Sequence, residues 1–123
     1  MEEESMNVKQ ALAAYAQSEK VKSGLIWICH ISDQVDATEG AAKKQTVNIV
    51  RTLARLVAGE SDLAGKITGD QRWDEIGKMI SMALVMIDSG VPQETTFHLT
   101  KALTRVTRIG GQAAGILKEN ELL

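Results

Sequence analysis

The segment from Gln93 to Glu119 constrains this chain more than any other. Laid on a helix at about 100° per residue, it gathers Leu99, Ala102, Leu103, Val106, Ile109, Ala113 and Leu117 on one side. Thr100, Thr104, Thr107 and Lys118 fall opposite. A stripe about a third of the circumference wide has to be covered by other elements, so the segment cannot stand alone. Two comparable segments precede it. The only proline, Pro92, stands in the short break before it, where the first helical turn tolerates a missing N–H. The chain is built for packing helix on helix.

Its 123 residues fit a single domain over residues 1–123, with 1–5 expected as a disordered tail, and suffice for a core without staples. Tyr15, Trp27, Trp73 and Phe97 are the whole aromatic complement, so the core must be Ala, Leu, Ile, Val and Met, a mixture suited to closely approaching helices. The formal net charge of −2 argues against nucleic acid or an anionic membrane as a general partner, because such binding rests on a basic surplus. Cys29 is the single cysteine, so no internal disulfide is available. Met1-Glu2-Glu3-Glu4-Ser5 is acidic where a secretory signal is basic, and the longest apolar run, Leu25 to Ile31, falls far short of the roughly 20 residues that cross a bilayer. The expected location is the cytoplasm, with no membrane span.

The spacing predicts a first helix from Asn7 to about Lys22, with Asn7 and Gln10 in capping-box register, and an interruption or bend at Gly24. The run Leu25 to Val35 is apolar all round near its start. It reads as helix covered on most sides, since no second strand-like run exists to pair with it. Asp36 and Glu39 form a second capping-box pair, opening a helix to about Ala58. There Ala42, Ile49, Val50, Leu53, Ala54, Leu56 and Val57 cover roughly half the circumference. Gly59 is expected to stop that helix, and the glycine-bearing stretch from Gly59 to Asp70 to be a connector. Asp70 caps the next helix, which carries Trp73, Ile76, Ile80, Ala83, Leu84 and Ile87 on one face and ends at Gly90. The fold class is an all-α, up-and-down bundle of four to five helices.

Two features exceed what a bundle needs. Met79, Met82 and Met86 lie beside the main stripe of their helix and widen its apolar arc to about 200°. They fit a central helix touching two neighbours, or an adaptable subunit interface. Gly110, Gly111 and Gly115 sit where the last helix should be strongest. Gly111 and Gly115 could admit a second helix backbone at close range, within the subunit or across a dimer seam, or the helix could break at Gly110-Gly111.

A basic strip of His98, Lys101, Arg105 and Arg108 flanks the buried stripe of the last helix, with Arg51 and Arg55 as a smaller pair on an earlier one. Such groups hold phosphate or other anions when they converge, and form an ordinary solvated edge when they do not. Within the strip, His98-Leu99-Thr100-Lys101-Ala102 resembles the His-x-x-Lys-Gly/Ala element of histidine phosphotransfer domains, which are helical bundles of similar size. The resemblance covers five residues and has alanine where the family mainly has glycine. It implies phosphorylation of His98, with Lys101 neutralising the phosphoryl group.

Other chemistry does not assemble. Gly59, Gly65, Lys66 and Thr68 miss phosphate-loop spacing by one residue and follow no strand. Cys29 and His30 are adjacent, hence about 100° apart on a helix, with no further ligand to complete a metal shell. Trp73 to Lys78 lacks the paired acidic motifs of helical nucleotide pyrophosphatases. No nucleophile stands with a recognisable base, so no catalytic, cofactor or metal residues are assigned. The expected function is a non-catalytic helical adaptor or regulatory subunit acting through helix faces. Self-association as a homodimer or higher homo-oligomer is expected through Met79, Met82, Met86, the Leu25–Ile31 run, Gly111 and Gly115, with a second protein partner possible. The rivals are phosphotransfer through His98 and binding of an anionic polymer or phosphate through Lys101, Arg105 and Arg108.

Overall fold

The computed structural model describes residues 6–90 and 92–123, so the expected tail at residues 1–5 lies outside the described residues. Four helices make up the fold: α1 over Val8–Val35, α2 over Gly40–Thr68, α3 over Arg72–Asp88 and α4 over Pro92–Glu119. There is no strand among the described residues. Packing runs round a square, α1 against α2 and α4, and α3 against the same two, with no diagonal pair in contact among the described residues.

Cross-helix bonds fix the directions. The Gln10 side chain donates to the Thr68 carbonyl and Lys20 reaches Glu60, so numbers rise along α1 as they fall along α2. Arg72 reaches Gln112 while the Thr95 hydroxyl reaches the Ala83 carbonyl, which makes α3 and α4 antiparallel as well. The chain is an all-α, up-and-down bundle, the topology that short connections between long amphipathic helices impose.

Small and branched side chains fill the centre. Ala11, Ala14, Ala54, Ala64, Ala83, Ala102 and Ala113 are buried at the helix contacts, and Leu25, Ile28, Val50, Ile76, Ile80, Leu99, Val106 and Ile109 fill the space between them. Trp73 is the one fully buried aromatic residue among those described, and it packs beside Gly65, where a Cβ would stand 3.3 Å from the tryptophan's own Cβ.

The helices are longer than the expected breaks allow. α1 passes through Gly24 without interruption because a Cβ there would stand 2.5 Å from Val57 Cγ2, so the glycine admits α2 rather than ending α1. The Leu25–Ile31 run is only partly covered: Leu25 and Ile28 are buried, while Ile26 and Trp27 are exposed. The Asn7–Gln10 capping box forms in both directions. The expected Asp36–Glu39 box does not. Asp36 is the C-cap of α1, held in the right-handed helical region where an N-cap needs extended backbone, and Glu39 takes the N-cap of α2 with no side-chain cap bond.

Gly59 does not stop α2. Ser61, Ala64 and Thr68 continue its buried face, and Gln17 and Gln10 of α1 donate to the carbonyls of Glu60 and Thr68, so burial and pairing outweigh the glycine penalty of roughly 1 kcal/mol. The helix ends instead at Gly69, whose left-handed conformation (φ 70°) turns the chain and whose N–H bonds to the Gly65 carbonyl at 2.9 Å. The expected connector from Gly59 to Asp70 shrinks to residues 69–71. Asp70 is not the N-cap of α3 as expected: the chain stays in the right-handed helical region at Gln71, which takes the N-cap without a side-chain cap bond, and Asp70 stands one residue earlier with its Oδ1 accepting the Arg72 N–H at 2.9 Å. Gly110 and Gly111 leave α4 continuous.

Candidate interaction surface

The methionine flank is largely absorbed by the bundle. α3 does touch two neighbours, and Met79 packs against the core. Met86 is half-buried, leaving Met82, at 43 % exposed, with Val85 on the outside.

Of the three glycines in α4, the one that meets another helix is Gly110, where a Cβ would stand 3.0 Å from Ser18 Cβ. Gly111 and Gly115 face outward, with nothing within 4 Å of the Cβ each lacks. They are not the close-approach device inside the subunit. The physical reason is register: the buried face of α4 runs through Ile109 and Ala113, which rotates Gly111 and Gly115 away from α1. Gly110, Gly111 and Ala114 line a shallow groove with Tyr15, Ser18, Glu19 and Lys22.

The basic strip is not a convergent site. Arg105 is ion-paired with Glu75 of α3. His98 is half-buried, edge-on to Phe97 with ring centroids 5.5 Å apart, and the Lys101 ammonium lies over the same Phe97 ring at 5.3 Å. Arg108 is exposed on the outer side of α4. Arg51 is engaged with Asp88 of α3 at 2.6 Å, and α2 and α4, which carry the two basic groups, make no contact among the described residues. Cys29 is half-buried, and burial, reinforced by the Asp33 charge, pushes its thiol pKa up, which disfavours the nucleophilic thiolate. Among the described residues no group of three or more His, Cys, Asp or Glu side chains is placed to hold a metal ion. Nor, among these residues, is any helix long and apolar enough to cross a membrane.

An aligned apolar exposure lies on α2. Ile49, Leu56 and Leu63 recur every seven residues and Ile67 follows at the azimuth of Ile49; they are 52, 62, 43 and 52 % exposed. The buried face of the same helix, through Val50, Ala54, Val57 and Ala64, lies roughly a third of a turn away, so this second stripe stands apart from the core. Half-buried Leu53 borders it. Because Gly24 of α1 meets Val57, the antiparallel run puts Trp27, 60 % exposed, near the level of Leu53 on the α1 side of the stripe. The Lys20–Glu60 pair, 3.1 Å apart, borders that side too. Sequence reasoning missed this surface because a connector placed at Gly59–Asp70 removed Leu63 and Ile67 from any helix and left Ile49 and Leu56 as the edge of a broad arc. The signal was the seven-residue spacing itself.

No protein-family model matches the chain, and no curated protein or solved structure matches it significantly.

Proposed function

We propose that the protein is a non-catalytic adaptor or regulatory subunit of the cytoplasm that works through helix-face contacts and associates with itself. The observation that carries this reading is the Ile49, Leu56, Leu63 and Ile67 stripe on the outside of α2. Scattered exposed aliphatics are ordinary on a monomer, but an aligned series along one helix, extended by Trp27 on the next, is the kind of patch that a protein contact covers. Met82 and Val85 on α3 offer a smaller surface for a second partner.

The phosphotransfer reading has weaker support. A phosphorylated histidine requires an accessible imidazole with a free cation beside it, whereas His98 is half-buried and Lys101 lies over Phe97. Anion binding through Lys101, Arg105 and Arg108 has to compete with Glu75 for Arg105. Static light scattering across micromolar concentrations tests the favoured reading: a particle of at least twice the chain mass is expected, and monomer throughout removes self-association from it.

A further inference from the structure

We infer that two copies of this chain pair along the outer face of α2, antiparallel, about a two-fold axis beside Gly59. The inference rests on the helix-face association proposed above and gives it a surface, an occupant and a direction.

The shape of the stripe selects another helix as its occupant. Residues seven apart drift by only about 20° per heptad on a straight α-helix, so Ile49, Leu56 and Leu63 stay in line as a narrow seam of the kind that a second long helix covers.

Charge selects a second copy in the antiparallel sense. From Gly40 to Arg55, α2 carries Lys43, Lys44, Arg51 and Arg55 and no acid. From Leu56 to Thr68 it carries Glu60 and Asp62 against Lys66. A parallel pair would lay the basic halves together; an antiparallel pair lays each basic half along an acidic one, and the opposed helix dipoles agree. With the axis beside Gly59, Arg55 of each copy comes alongside Asp62 of the other. Both side chains are exposed, and within the chain Asp62 pairs with Lys66, one turn on, at 3.2 Å.

Gly59 fits the same register. It is exposed in the middle of a 29-residue helix, and the Cβ it lacks would meet nothing within 4 Å, so the bundle itself gives no reason for glycine there. Beside the axis the missing side chain makes room for Leu56 of the second copy. Ile49 then lies against Ile67 of the second copy, and Leu53 against its Leu63.

Light scattering on charge-reversed variants decides the matter. Arg55→Glu sets a second carboxylate beside Asp62 at both ends of the symmetric pair, and Asp62→Arg sets a second guanidinium beside Arg55, so each variant alone should dimerise at least tenfold more weakly than the parent. An equimolar mixture of the two should regain the parent's affinity. In the mixed pair the carboxylate introduced on one chain faces the guanidinium introduced on the other, and the unchanged Arg55 and Asp62 also meet. Neither misfolding nor loss of the internal Asp62–Lys66 bond produces recovery on mixing. Leu56→Lys, at an exposed position that leaves circular dichroism unchanged, should give monomer. Single variants that dimerise as the parent does, a mixture that stays monomeric, or a dimeric Leu56→Lys overturns the inference while leaving a dimeric parent to support the wider reading. A parent that is monomeric at every concentration removes both.

Discussion

At the scale of single residues, glycines of the same chemistry have opposite roles, and the space around each one decides which. Gly24 admits Val57 Cγ2 to a point 2.5 Å from where its Cβ would be, whereas Gly77 in the middle of α3 has nothing within 4 Å of that position. Gly24→Ala should therefore lower the unfolding free energy by about 1–3 kcal/mol through overpacking against α2. Gly77→Ala should raise it by about 0.5–1 kcal/mol by restricting the unfolded chain. Chemical denaturation of both variants reads the two signs directly. Asp70 supplies a pH-dependent counterpart. Burial by itself would raise its pKa, but the Arg72 side-chain and backbone hydrogen bonds and the guanidinium charge outweigh that and hold it below the usual carboxylate value. A carboxyl whose folded pKa is depressed stabilises the fold above its unfolded pKa of about 3.9, and that stabilisation disappears as pH falls through the lower folded value. Asp70→Asn should thus cost up to about 1 kcal/mol at neutral pH, the range of a solvent-accessible ion pair, and the gap from the parent should close in acid below about pH 4. A constant gap down to strong acid would assign the loss to packing instead.

At the scale of elements, periodicity made the helices legible and local stop signals misled. The inward stripe of α4, Leu99 through Leu117, is buried as the spacing demands, and the Asn7–Gln10 cap forms as its residue types require. The Asp36–Glu39 signal matched an N-terminus equally well, yet the C-terminal turn of α1 takes Asp36 before α2 begins. Gly24, Gly59 and Gly110 look like punctuation in a one-dimensional string. Only the neighbouring helix shows that Gly24 and Gly110 are contact points and that Gly59 lies within an uninterrupted α2. The candidate surface was lost with the same misreading, since its C-terminal half lay in the supposed connector. Hydrogen exchange checks the corrected boundary. Amides from Glu60 to Thr68 should exchange as slowly as those from Val50 to Val57, and exchange at loop-like rates over that stretch would restore the connector.

At the scale of the whole molecule, the bundle closes its core with aliphatic side chains and still leaves a row of them outside, on the helix whose charge reverses from end to end. The antiparallel α2 pair inferred above would cover that row and join two four-helix bundles back to back. The most direct measurement is the distance between spin labels placed at Gln45, an exposed position near the start of α2, in a Cys29→Ser background. With the axis beside Gly59, the two labelled positions lie some 13 residues either side of it, which at 1.5 Å per residue places them about 40 Å apart. A parallel pair would hold them at about 10 Å, the spacing of two packed helices. A distance distribution centred near 40 Å is the predicted result; one near 10 Å, or no dipolar coupling between the labels, contradicts the account.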